Sequence, residues 1–151
     1  MVKKIVLAIL LLIVGGIILA WLTQSYWLDD WNQKLADQTT EHRERGLALG
    51  READQSRCFE ETLTNFDRCS GFACTISHGK FLKACWSVAK PTPGFCDDVP
   101  EFNEERSDDD KSWARHGCWG RDIRGEGCRL LMRQQQQMCS LQRSQAASVA
   151  Q

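Results

Sequence analysis

Eight cysteines, at positions 58, 69, 74, 85, 96, 118, 128 and 139, constrain this 151-residue chain more than any other feature, because four of the seven intervals between neighbours are eleven residues. Eleven residues make three helical turns at about 3.67 residues per turn, so such a pair returns to nearly one helix face. With a rise of roughly 1.5 Å per residue, the two side chains stand about 16 Å apart. A disulfide needs Cα atoms within about 7 Å. Each cysteine must therefore reach to another element, and the cysteines read as staples between helices.

Cys58, Thr62, Phe66 and Cys69 fall on one helix face, and Cys74, His78, Phe81, Leu82 and Cys85 on a second. Ser70 and Gly71 make the turn between them, and Pro91 and Pro93 stop the second helix beyond Val88. Antiparallel packing sets Cys69 opposite Cys74, and equal offsets then set Cys58 opposite Cys85. Further on, Ser107 with Asp110 forms a capping box for a helix ending near Cys118. Gly117, Gly120, Gly125 and Gly127 bracket a turn, and Cys128, Leu131, Met132, Gln135, Met138 and Cys139 give another helical face. Cys118–Cys128 across that turn and Cys96–Cys139 outside it complete the expected set. Twin cysteine pairs on a helical hairpin resemble the coiled-coil-helix modules of the mitochondrial intermembrane space, which usually space their cysteines as C-x9-C. The likeness covers Cys58 to Cys85 alone, where the spacing is C-x10-C, and it implies a hairpin topology and no function.

Ile5 to Leu22 is a run of eighteen residues without a charge, preceded by Lys3 and Lys4. It is long enough to span a bilayer. Ala20 sits among Ile18, Leu19 and Leu22 without the small-residue pattern of a cleavage site, which favours an uncleaved anchor over a cleaved signal peptide. Lys3 and Lys4 then stay cytoplasmic, and the chain beyond Asp29 and Asp30 faces outward. Trp21, Tyr26, Trp27 and Trp31 suit an aromatic belt at the far interface, the alternative being a place in the soluble core. Disulfides persist in oxidising spaces, and the chain has no Asn-x-Ser/Thr acceptor. The expected location is a bacterial inner membrane, single-pass, with the C-terminal domain periplasmic.

The expected fold class is all-α. Residues 1–4 form a cytoplasmic N-terminus, 5–22 a transmembrane helix, and 23–57 a helical stalk with Gly46 and Gly50 as a break or joint. Residues 58–143 form a disulfide-stapled domain of about four helices in two α-hairpins, and 144–151 a flexible tail. The soluble part holds few large aliphatics, so its core is modest, and disulfides worth typically about 2 to 4 kcal/mol each offset that shortfall.

Cys74 and His78 stand four apart and His116 lies two before Cys118, but no C-x2-C pair exists and an oxidising compartment converts thiols to disulfides. No metal and no cofactor are expected. Thiol exchange enzymes place two cysteines three apart, and none are. His78 reads as a hairpin-packing residue and His116 as a helix-end cation. Asp97, Asp98, Glu101, Glu104, Glu105, Asp108, Asp109 and Asp110 form a run, which reads as a solvated segment before a carboxylate pair or a calcium loop. Gln134 to Gln137 are acceptable helix formers.

Basic residues follow the acidic run: Lys111, Arg115, Arg121, Arg124, Arg129, Arg133 and Arg143 against Asp122 and Glu126. Such a dipolar domain either complements itself or docks an acidic protein, lipid headgroups or an anionic envelope polymer. Trp86, Trp113 and Trp119 either anchor a partner or pack inside. These features lead to an expectation of a membrane-tethered interaction or assembly module without catalytic activity. It would bind another cell-envelope protein through Trp113, Trp119, Arg121, Arg124, Arg129 and Arg133, with no nucleic acid partner. An envelope glycan or small-ligand receptor comes second, and an enzyme of unrecognised type third.

Overall fold

The computed structural model describes residues 2–68 and 71–149, and these contain five helices and no strand. They are α1 (Val2–Glu52), α2 (Gln55–Phe66), α3 (Phe72–Val88), α4 (Asp108–Trp119) and α5 (Glu126–Val149). The chain divides into two compact units, Met1–Asp37 and Gln38–Gln151. In the first, the large apolar side chains described between Ile5 and Leu22 are exposed, Leu12 to 76%. The length and composition of this helix fit a membrane anchor or a signal sequence. Trp21 and Trp31 are exposed beside it; the side chains of Tyr26 and Trp27 lie outside the described residues.

The second unit is built on the α2–α3 hairpin. Asp54 caps α2 by accepting the Arg57 backbone N–H at 2.9 Å. That bond, with a second from the Ser56 hydroxyl, holds its carboxyl below the usual carboxylate range. Gln55 N–H donates to the Lys90 carbonyl at 3.0 Å and Lys90 N–H to the Ala53 carbonyl at 3.2 Å, so the start of α2 is tied to the end of α3. Further into the hairpin from these ties, Cys58 and Cys85 are disulfide-bonded with Cα atoms 5.7 Å apart. Cys74 is disulfide-bonded, whereas Cys69 lies outside the described residues. Phe59, Leu63, Phe66, Phe81 and Leu82 fill the space between the two helices, and Leu131 and Met132 of α5 close it.

The second hairpin, α4–α5, is joined by Cys118–Cys128, with Cα atoms 6.1 Å apart. Ser107 and Asp110 make both bonds of a capping box at the start of α4. Cys96–Cys139, at 5.4 Å, pins the irregular segment between α3 and α4 onto α5. These three bridges are among the four expected pairs: Cys58–Cys85 follows from equal helical offsets, and the other two join cysteines with unequal offsets. Gln136, 1% exposed, donates to Asp110 Oδ1 at 2.7 Å and to the Glu101 carbonyl at 2.9 Å. Gln134 donates to the Gly79 carbonyl at 2.8 Å. The glutamine run therefore ties α5 to α3, to the cap of α4 and to the acidic segment. Its sequence signal is position: Gln136 lies four after Met132 and three before Cys139, on the buried face.

Three boundaries differ from the sequence reading. The compact unit begins at Gln38, inside the expected stalk. Gly46 and Gly50 are not a joint; both are buried within α1. A Cβ at Gly46 would strike the Phe81 carbonyl oxygen and lie 3.1 Å from Ala84 Cβ, and one at Gly50 would strike the Cys85 carbonyl oxygen. Glycine at that spacing lets two helix backbones touch, which the sequence shows only as two interruptions. Lastly, α5 continues through Val149, because Gln145, Ala146 and Ala147 favour helix and no glycine or proline interrupts.

The two glycines give a test of sign. If they were a loose joint, alanine would stabilise the helix by up to about 1 kcal/mol through propensity. Against the α3 backbone, Gly46→Ala or Gly50→Ala should instead each lower stability by about 1 to 3 kcal/mol. Urea denaturation with disulfides intact distinguishes the two.

Candidate functional site

The basic residues singled out from sequence have two different fates. Arg121 pairs with Glu60 of α2, donates to the Gly117 carbonyl at 3.0 Å, and places its guanidinium 5.6 Å from the Phe59 ring centre. Arg133 donates to the carbonyls of Asn103 and Glu104 and lies 4.4 Å from the Phe102 ring centre. Arg143 donates to the carbonyls of Cys96 at 2.7 Å and Val99 at 3.2 Å. Arg129 is paired with Glu126 at 3.2 Å. Arg133 and Arg143 thus hold the acidic segment by its backbone carbonyls and leave its carboxylates in water. Of its eight acids, Asp110 alone is buried; the Ser107 hydroxyl, first among several donors, keeps Asp110 ionised below the usual range.

Trp113 is partly buried against the core. Trp119, at the last turn of α4, is 48% exposed. Arg115, one turn earlier, and Arg124, in the following turn, set their guanidinium groups 5.8 Å and 5.2 Å from its ring centre. His116 meets the same ring edge-on at 6.1 Å. Arg124 also faces Asp122 at 3.8 Å, too far for more than weak exposed pairing. An exposed indole with two guanidinium groups over it is an amphipathic contact surface: the ring supplies area, and the cations supply complementarity to carboxylates or phosphates. Arg115 was not a candidate from sequence. Its spacing of four from Trp119 on α4 was the available signal.

A concavity of about 540 Å³ is lined by Glu41, His42 and Arg45 of α1, Asn65 of α2, and Ser77 and His78 of α3. His78 is buried and packs edge-on against Phe66 at 5.7 Å and His42 at 5.2 Å. Burial first, then His42 and Arg45, push its pKa down to about 4. Among the described residues, no three or more His, Cys, Asp or Glu side chains are grouped to hold a metal ion. No protein-family model, curated protein or solved structure matches the chain.

The depressed His78 pKa sets a pH dependence. The unfolded chain takes up a proton near 6.5 and the folded chain near 4, so stability is full above about pH 6.5 and declines as the pH falls towards 4. Asp54 and Asp110, held below 3.8, act only at lower pH. The melting temperature should therefore fall between pH 7 and about 4.5, and His78→Gln should flatten that slope.

Proposed function

We propose that this protein is a membrane-anchored, non-catalytic interaction or assembly module of a bacterial inner membrane. Its N-terminus is cytoplasmic, its helical domain periplasmic, and the Arg115–Trp119–Arg124 corner docks another cell-envelope protein. The observation that carries this reading is the exposed Trp119 ring with two guanidinium groups held over it. Tryptophan and arginine are the side chains that most often dominate binding at protein interfaces. Three disulfides among the described residues support an oxidising compartment and a binding face that is already ordered before contact. The uncovered apolar helix supports a tether, which raises the effective concentration of the domain near membrane partners.

Docking of a protein is favoured over stacking of a sugar, because the face a sugar would use already carries guanidinium groups. Arg121 and Arg133 are reassigned to holding the domain together and Trp113 to its core, while Arg124 stays in the docking surface. Arg129, bound to its own helix neighbour Glu126, is peripheral.

The reading is tested by crosslinking in intact membranes. The wild-type chain should yield one reproducible crosslinked partner. Arg115→Glu with Arg124→Glu should weaken that product at least tenfold, about 1.4 kcal/mol, while the melting temperature stays unchanged. Retained crosslinking in this double variant would remove the corner from the interface.

A further inference from the structure

A trough of about 730 Å³ runs between α3 and the start of α5, with Phe66 of α2 at its floor. Its walls are apolar: Phe72 and Ile76, four apart on α3, and Leu130 on α5. Phe72 is 73% exposed and Leu130 45%. Gly71, Gly79, Gly125 and Gly127 also line it. Gly71 and Gly125 have φ of 97° and 109°, a conformation L side chains rarely adopt. A Cβ at Gly127 would lie 2.5 Å from Thr75 Oγ1 and 2.6 Å from Phe66 Cζ, so the first turn of α5 lies directly on α2 and α3. Gln134, bonded to the Gly79 carbonyl, also lines it.

The rim is positive. Lys80 and Lys83 are exposed on α3, with no ion pair among the described residues, and Arg124 lines the trough from beyond α4. Its one acid, Glu126, is already bound by Arg106 at 3.4 Å and Arg129 at 3.2 Å. We infer that this trough is a docking groove for an acidic amphipathic helix of a partner protein. A helix laid in it buries an apolar stripe of i, i+3, i+4 and i+7 positions, and glutamates or aspartates flanking the stripe meet Lys80, Lys83 and Arg124. A single acyl chain fits the shape less well, since an open trough leaves much of it in water and forfeits the gain from burial. The inference rests on the reading of the domain as an interaction module and names a second contact, adjoining the Trp119 corner through Arg124.

The test uses the full chain, disulfides intact, in neutral detergent micelles. The probe is a designed helical peptide with leucines at i, i+3, i+4 and i+7 flanked by glutamates, and the control replaces those glutamates with lysines. Fluorescence anisotropy should show the acidic peptide binding at least tenfold tighter. Lys80→Glu with Lys83→Glu should reverse the preference, and Phe72→Ser should weaken both peptides. Equal affinity for the two peptides, or a preference that Lys80→Glu with Lys83→Glu leaves intact, overturns the groove. So does preferential binding of phosphatidylglycerol vesicles through Lys80 and Lys83 without binding of the acidic peptide, or concentration-dependent self-association lost in Phe72→Ser. In the membrane crosslinking experiment, a product lost in Arg115→Glu but retained in Lys80→Glu with Lys83→Glu keeps the corner and overturns the groove. The opposite pattern keeps the groove and overturns the corner.

Discussion

Cys58 and Cys85 are both fully buried, and the bond between them holds α3 against α2 at a Cα separation of 5.7 Å. The rest of the helical unit is read off the backbone that this bond fixes. Gly46 and Gly50 of α1 rest on the carbonyls of Phe81 and Cys85, and Gln134 of α5 donates to the carbonyl of Gly79. The two glycine contacts, backbone on backbone, tolerate little displacement, because no side-chain rotamer can absorb a shift. A small core gains from such an arrangement: a crosslink restricts the unfolded chain while the glycines bring helices closer than side chains would allow.

The same economy governs charge. An acidic segment followed by basic helices suggests either internal neutralisation or a partner, and the protein divides its arginines between these uses. Arg121 binds Glu60 and so ties the turn after α4 to α2, whereas Arg133 and Arg143 bind loop carbonyls and order the chain between α3 and α4 without pairing with its carboxylates. Arg115 and Arg124 lie over an exposed tryptophan, and Lys80 and Lys83 border an apolar trough. Side chains that stabilise the fold and side chains that remain available to a partner are therefore different members of one basic set.

Much of the helical organisation is legible from spacing. The Ser107 capping box, the stop before Pro91 and Pro93, and the opposition of Cys58 to Cys85 follow from local chemistry and from the period of a helix. Cys96–Cys139 and Cys118–Cys128 follow less directly, since their offsets are unequal and the chain between α3 and α4 is irregular. The candidate site was legible only in part. Trp119 and Arg124 could be chosen as residue types, but Arg121 and Arg133, equally basic and as close in sequence, bind partners 61 and 30 residues away, Glu60 and the Asn103 carbonyl.

The sequence by itself determined what depends on near neighbours: helices, a cap, an uncharged segment long enough for a bilayer, and cysteines at three-turn intervals. Tertiary structure alone decided what depends on distant ones. It turned Gly46 and Gly50 from a joint into a contact, brought Gln136 and Asp110 together inside the domain, and separated the arginines that hold the fold from those that face out. The physical reason is that helical period specifies which residues share a face. What that face meets is set by the packing of segments far apart in the chain.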